Sequence, residues 1–155
     1  MNIELYFLRS SEEKIVKDML PLAHGKECSE FKEYTENFGL THKDLGLYAL
    51  VDNKIAGAIW SREIDSSSEP TLSIAVLPEL RSLGIGSHMM QQFLLEAGAK
   101  YSALSTKVPE DVNAVKFYEK FGFNKDDVTD KMFKSLEVQE VVRPTDGYNP
   151  KKWMD

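Results

Sequence analysis

From Thr71 to Val76 the side chains alternate cleanly as a strand, Pro78 interrupts the pattern, and beyond Arg81-x-x-Gly84-x-Gly86 the apolar residues Ile85, Met89, Phe93 and Ala97 recur at helical spacing. A period of two asks for a sheet, and a period near 3.6 asks for a face of that sheet to pack against. Proline cannot donate to a ladder, so the strand's pairing ends there. The turn between strand and helix also carries chemistry. Glycine removes the Cβ that would hold a backbone away from a ligand, and a helix N-terminus offers unpaired N–H groups and a partial positive charge to an anion. Arg81 adds a charge-assisted donor at the same place. No Gly-Lys-Ser/Thr follows, so this is not a nucleotide P-loop, and the third glycine of the dinucleotide fingerprint falls on Met89. The segment reads as a pyrophosphate cradle.

The rest of the chain supplies the layers around that corner. Ile3 to Leu8 reads as a first strand, with Ser10 or Ser11 and Glu13 placed to cap a helix that Pro21 ends near Leu20. A second helix is expected over Ser29 to Phe38, where Phe31, Tyr34 and Phe38 share a face and Gly39 supplies a stop. Gly46–Val51 and Lys54–Arg62 are strand-like runs joined by Asp52-Asn53, a hairpin signal. The helix after the cradle should run from Gly86 to about Ala99, with Gln92 and Glu96 off its apolar side. A short strand lies within Tyr101–Val108, a helix spans Asn113 to Phe121 and stops at Gly122, and Phe123 to Val142 supplies the last strands. This order predicts an α/β sandwich in one domain over residues 1–142, followed by a mostly irregular tail, 143–155. Ligand would bind at the carboxyl end of the Thr71–Val76 strand.

Composition narrows the partners. The chain has 155 residues, enough for one well-filled core, and its 42% hydrophobic and 28% charged content argues against wholesale disorder. A net charge of −6 disfavours nucleic acid and suits a cationic small substrate. Cys28 is alone, and it forms no metal-ligand cluster with the scattered His24, His42 and His88. No metal is expected, a reducing cytoplasm is the simplest location, and no apolar run approaches the roughly 20 residues that span a bilayer.

Two blocks resemble the GNAT superfamily of acyl-CoA-dependent N-acetyltransferases. Val76-x-Pro78-Glu79-x-Arg81-x-x-Gly84-Ile85-Gly86 resembles the family's pyrophosphate signature, and Asn113 to Phe123, Asn-Ala-Val-Lys-Phe-Tyr-Glu-Lys-Phe-Gly-Phe, is similar to its second cofactor segment. Both occur in family order with a strand between them, and by resemblance the match extends through most of residues 1–138. The resemblance implies a central mixed, mostly antiparallel sheet flanked by helices, and acetyl-CoA as co-substrate. It implies that the backbone at Ala75 and Val76 pairs with the pantetheine arm, as an added strand would. It implies that the amides of Leu83, Gly84, Ile85, Gly86 and Ser87 hold the pyrophosphate, with Arg81 at its edge. Asn113 would touch the pantetheine or orient its helix, with Asp111 competing for the role of helix cap. Tyr118 would protonate the departing thiolate.

The implied activity is direct transfer of an acetyl group to a primary amine of a small cationic molecule or a peptide, within a ternary complex. The competing possibility is a non-catalytic acyl-CoA-binding sensor or assembly module. An amine attacks a thioester only when neutral, so its proton needs an acceptor. Some family members carry a glutamate on the strand before the cradle; here Pro70 takes that place, and the base is left among Glu63, Asp65, Glu69, Glu33, Glu36 and a water relay. Trp60, Tyr34 and Phe38 are candidates to line an acceptor pocket, with core packing the default for such aromatics. The closing residues around Trp153 offer a cover for a partner subunit in a possible homodimer.

Overall fold

The computed structural model describes residues 2–9, 14–15, 17–19, 44–62, 69–81, 83–109, 111–126 and 128–136. In chain order the elements are β1 (Ile3–Phe7), β2 (Leu45–Val51), β3 (Lys54–Arg62), β4 (Thr71–Val76), a 3-10 turn (Pro78–Leu80), α1 (Ile85–Gly98), β5 (Ala103–Lys107), α2 (Val112–Lys120), β6 (Asn124–Lys125) and β7 (Lys131–Ser135). Residues 14, 15 and 17–19 are helical, as the capping pattern predicts. The expected helix over Ser29–Phe38, and with it Tyr34, Phe38, His24, His42 and Cys28, lies outside the described residues, as does the tail. No described helix is long and apolar enough to cross a membrane.

The seven strands form one sheet in the order β1-β2-β3-β4-β5-β7-β6, and every neighbouring pair is antiparallel except β4 and β5. This is the mixed, mostly antiparallel sheet that the resemblance implies. The β2–β3 hairpin turns on Asp52 and Asn53 at φ 50° and 70°. Two consecutive left-handed residues match the right-handed twist of the strands, and Asp and Asn tolerate that conformation best among residues with a side chain.

Each face of the sheet buries its own cluster. On one face Leu47, Ile59, Leu72 and Leu104 pack with Ile85, Met89, Met90 and Phe93 of α1, joined by Phe123 and Met132. On the other, Ala58, Trp60 and Ala75 pack with Leu8 and Met19. The alternation along β3 explains the split, because Ile59 and Trp60 point to opposite sides. Trp60 is fully buried, so its indole belongs to the core and not to an acceptor pocket. The α1 helix also buries more than its apolar stripe. Gln92 and Glu96 are inside, and the Gln92 amide donates to the Glu96 carboxylate at 3.2 Å, a pairing of side chains four residues apart that the apolar periodicity alone does not reveal.

A register shift opposite Ala49 and Leu50 leaves Ala56 as the extra residue on β3 and brings Gly57 hard against β4. A Cβ at 57 would stand 2.6 Å from the Ala75 carbonyl oxygen and 3.1 Å from the Met89 methyl. The first contact is with backbone and cannot relax cheaply. Gly57→Ala is therefore expected to destabilise the fold by about 1–3 kcal/mol, read as a lowered midpoint in urea unfolding. An unchanged midpoint would mean that β3 and β4 separate more easily than this contact implies.

At the end of the sheet away from Val76, the Arg62 guanidinium meets the buried Asp44 carboxylate at 3.3 Å, and Lys100 donates to the Asp44 carbonyl. Nearby, Ser61 Oγ donates to the Tyr101 hydroxyl at 3.5 Å. Burial pushes the Tyr101 phenol up to about 12 and the negative charge of Asp44 adds to this, while the Ser61 bond pulls the other way. The folded state thus holds a proton that the unfolded chain sheds near pH 10. Stability should fall between pH 10 and 12 by about 1.4 kcal/mol per pH unit from this group, and Tyr101→Phe should remove that slope from urea unfolding curves.

Candidate active site

The site begins where the sheet comes apart. Strands β4 and β5 pair only at Thr71 and Ser105, with the Ser105 amide donating to the Pro70 carbonyl at 3.0 Å. In a continued parallel ladder the next donor to the Leu72 carbonyl would be the amide of Lys107; here the Thr106 side-chain hydroxyl donates to it instead, at 3.0 Å. Beyond Leu72 the two strands carry no further register pairs, and a wedge opens between them. On its other edge β4 stays paired to β3 as far as Val76, and the Leu77 amide then donates to the Ala56 carbonyl.

Strand parity decides which backbone groups face the wedge. Successive residues turn their N–H and C=O groups to opposite edges. The Ala75 carbonyl points at Gly57, so Ala75 directs its polar groups to β3. Ile74 and Val76 therefore face the gap. The expectation that Ala75 and Val76 both present backbone there is corrected by one position, because parity is fixed by the β3 register and not by the signature. The Val76 carbonyl accepts from Arg81 Nε at 3.4 Å, which brings the guanidinium to the mouth of the wedge.

The cradle follows directly. Gly84 caps α1 at φ 83° and ψ 5°, with open space where a Cβ would stand and no side-chain cap. The first helical bond runs from the His88 amide to the Gly84 carbonyl. Gly84, Ile85, Gly86 and Ser87 thus have no intrahelical acceptor for their N–H groups, and the positive end of the α1 dipole lies among them. A Cβ on Gly86 would reach the Phe117 ring at 3.6 Å and the Ile74 side chain at 3.9 Å, so the cradle, the wedge strand and α2 meet at this glycine. Leu83 is half exposed beside it, and His88 is exposed on the outer face of α1.

Helix α2 sets the remaining group. Asp111 caps it by accepting from the Asn113 amide at 2.9 Å, so the cap is Asp111, and the exposed Asn113 carries the capped amide. At the other end, Gly122 at φ 95° closes the helix: its own amide donates to the Glu119 carbonyl, and the Phe123 amide donates to that of Tyr118. This turn drives Phe123 into the core against Tyr118, the two rings lying edge to face at 5.4 Å. Phe117 also meets Tyr118 edge to face, at 5.8 Å. Tyr118 is the buried residue of α2. Its phenol lies close to Thr106, the residue whose side chain ends the β4–β5 ladder. Burial pushes the phenol above the ordinary tyrosine range, and the Thr106 hydroxyl, as a donor to the ionised form, works against that shift.

Wedge, cradle and phenol together suit a long anionic ligand whose reactive end is neutral. Residues 43–125 match the family profile described as Acetyltransferase (GNAT) domain. The chain belongs to the GNAT acetyltransferase family. It is accordingly an acetyl-CoA-dependent acetyltransferase. Solved structures of the family share the fold at low identity. The ribosomal-protein-S18-alanine N-acetyltransferase of Escherichia coli is 18% identical with a TM-score of 0.67, covering 90% of this chain and 96% of its own. The paia N-acetyltransferase of Thermoplasma acidophilum, solved in complex with coenzyme A, is 16% identical with a TM-score of 0.64, covering 88% and 99%. A phosphinothricin acetyltransferase of Sinorhizobium meliloti, solved with AcCoA, is 13% identical with a TM-score of 0.65, covering 97% of each chain. No curated protein sequence matches this chain.

Two features of the wedge escaped the sequence. Ile74 required strand parity, and Thr106 required knowledge of where the β4–β5 ladder stops. Of the base candidates, Glu69 alone is described. Its peptide carbonyl accepts from Ser105 Oγ at the closed end of the wedge, and Thr71–Val76 extends roughly 17 Å from there to the mouth. Glu63, Asp65, Glu33 and Glu36 lie outside the described residues. Among the described residues no group of His, Cys, Asp and Glu is arranged to hold a metal.

Proposed function

We propose that the chain passes the acetyl group of acetyl-CoA directly to a primary amine, of a small cationic molecule or a peptide, within a ternary complex and without a covalent enzyme intermediate. The observation that carries this reading is the wedge that opens between β4 and β5 beyond Thr71 and Ser105, with the start of α1, which has no side-chain cap, at its mouth. Acetyl-CoA supplies the activated thioester. Ile74 and Val76 would bond the pantetheine arm as an added strand, with Arg81 leaving the Val76 carbonyl for the pyrophosphate. The amides of Leu83, Gly84, Ile85, Gly86 and Ser87 would hold that pyrophosphate. Because Asp111 does the capping, Asn113 is left with the pantetheine contact.

In the reaction the neutral amine nitrogen bonds to the thioester carbon, the C–S bond breaks with its electron pair going to sulfur, and Tyr118 gives its proton to that sulfur. The amine loses one proton to water, and water returns one to the phenolate. A phenol kept protonated by burial suits the donor role throughout the neutral range. The chain's charge of −6 favours a cationic acceptor. The names of two similar proteins carry a protein acceptor and a small one, an alanine of ribosomal protein S18 and phosphinothricin, so peptide and small-molecule amines both stay within the proposal.

Incubating the purified chain with acetyl-CoA and a panel of polyamines, amino acids and peptides tests it through thiol release. Release above background with at least one primary amine is expected. Release with none would contradict catalysis.

A further inference from the structure

The parity of β5 fixes what a longer β4–β5 ladder would need. The Leu136 amide donates to the Ser102 carbonyl and the Val108 amide to the Asp130 carbonyl, so the even-numbered residues of β5 turn their backbone groups to β7. Ser105 and Lys107 turn theirs to β4, and the Ser105 amide accordingly meets the Pro70 carbonyl at 3.0 Å. One further step of parallel pairing would send the Lys107 amide to the Leu72 carbonyl and the Ile74 amide to the Lys107 carbonyl. The ladder stops before that step, at Thr71 and Ser105. Thr106, whose own backbone faces β7, reaches across with its hydroxyl and donates to the Leu72 carbonyl at 3.0 Å in a buried contact. A buried carbonyl left without a donor costs about 1–3 kcal/mol, which is the pull that would otherwise draw Lys107 in.

We propose that Thr106 sets the length of the β4–β5 ladder: its hydroxyl satisfies the Leu72 carbonyl in place of the Lys107 amide, and so keeps the Ile74 amide for the acyl-CoA. The inference rests on the reading of the wedge as the acyl-CoA site. Thr106 touches no ligand in this role; it is a positioning residue that acts through the backbones of β4 and β5. Serine carries the same donor, whereas valine has the shape and branch of threonine with no hydroxyl. No proton or electron is transferred, because the choice lies between two donors to one carbonyl.

Thr106→Val in the full-length protein, labelled with ¹³C and ¹⁵N, tests this through the scalar coupling that a hydrogen bond transmits between an amide nitrogen and a carbonyl carbon. The wild type should show no coupling between the Lys107 nitrogen and the Leu72 carbonyl carbon. In Thr106→Val that coupling should appear, and Kd for acetyl-CoA should rise about fivefold or more, as expected for one hydrogen bond lost to the ligand. Thr106→Ser should return both readouts to those of the wild type. A merely structural loss would weaken binding without creating the new bond. Weakened binding with no Lys107–Leu72 coupling therefore overturns the proposal, as does a coupling already present in the wild type or an unchanged Kd in Thr106→Val. Should Thr106→Val not fold, Thr106→Ala is read by the same criteria. A wild type that does not bind acetyl-CoA would refute the acyl-CoA reading, and the coupling in Thr106→Val would then still decide whether the hydroxyl ends the ladder.

Discussion

Tyr118→Phe is expected to lower kcat by about 10²-fold or more, the usual yield of a positioned general acid, while acetyl-CoA binds as before. The phenyl ring keeps the edge-to-face contacts with Phe117 and Phe123, so the substitution removes a hydroxyl and little else. Loss of the one phenolic hydroxyl should cost about 1 kcal/mol of stability. A fall in kcat without a change in affinity separates an enzyme that uses the phenol from a sensor that merely binds acyl-CoA. The wild-type rate should also show no alkaline limb from Tyr118 within the ordinary tyrosine range, because burial holds the phenol protonated above it. Full activity in Tyr118→Phe would remove the acid from the account.

The largest effect on binding is expected from Gly86→Glu. Its Cβ has room, at 3.6 Å from the Phe117 ring, but the longer chain must displace that ring or turn its carboxylate toward the amides of the cradle. A carboxylate in the first turn of a helix is stabilising by about 0.3–1 kcal/mol, so α1 should persist. The same carboxylate takes the donors that a pyrophosphate needs and repels its charge. Losing two charge-assisted bonds costs about 3–6 kcal/mol, or about 10²–10⁴-fold in Kd for acetyl-CoA by calorimetry. Wild-type affinity in a folded Gly86→Glu protein would place the pyrophosphate elsewhere.

What could be read without coordinates was whatever depends on local spacing. Thr71–Val76 and Lys54–Arg62 emerge with the bounds their alternation implies, and Asp52-Asn53 forms the hairpin its chemistry favours. Gly122 ends α2 because glycine alone adopts φ 95° without cost, and sequence position suffices to see that. The misses share a different cause, since each depends on what a neighbouring strand or helix does. Whether Ala75 or Ile74 faces the wedge depends on the register with β3. Whether Gln92 and Glu96 are buried depends on how widely α1 is covered, and Trp60 packs in the core because the helical residues near the N-terminus cover that face. Asp111 and Asn113 are both acceptable caps by type, and the backbone φ and ψ at Asp111 choose between them. Thr106 has no motif at all: that its side chain ends the β4–β5 ladder depends on where the two strands diverge.

The central claim is that acetyl-CoA lies in the β4–β5 wedge with its pyrophosphate on the first turn of α1. Titrating ¹⁵N-labelled protein with CoA and following backbone amide shifts tests this most directly. The account predicts the largest changes at Ile74, Val76 and Leu83 through Ser87, with Ala75, hydrogen-bonded to β3, moving less than its two neighbours. Shifts absent from these residues, or centred on the far end of the sheet near Arg62 and Tyr101, would contradict it.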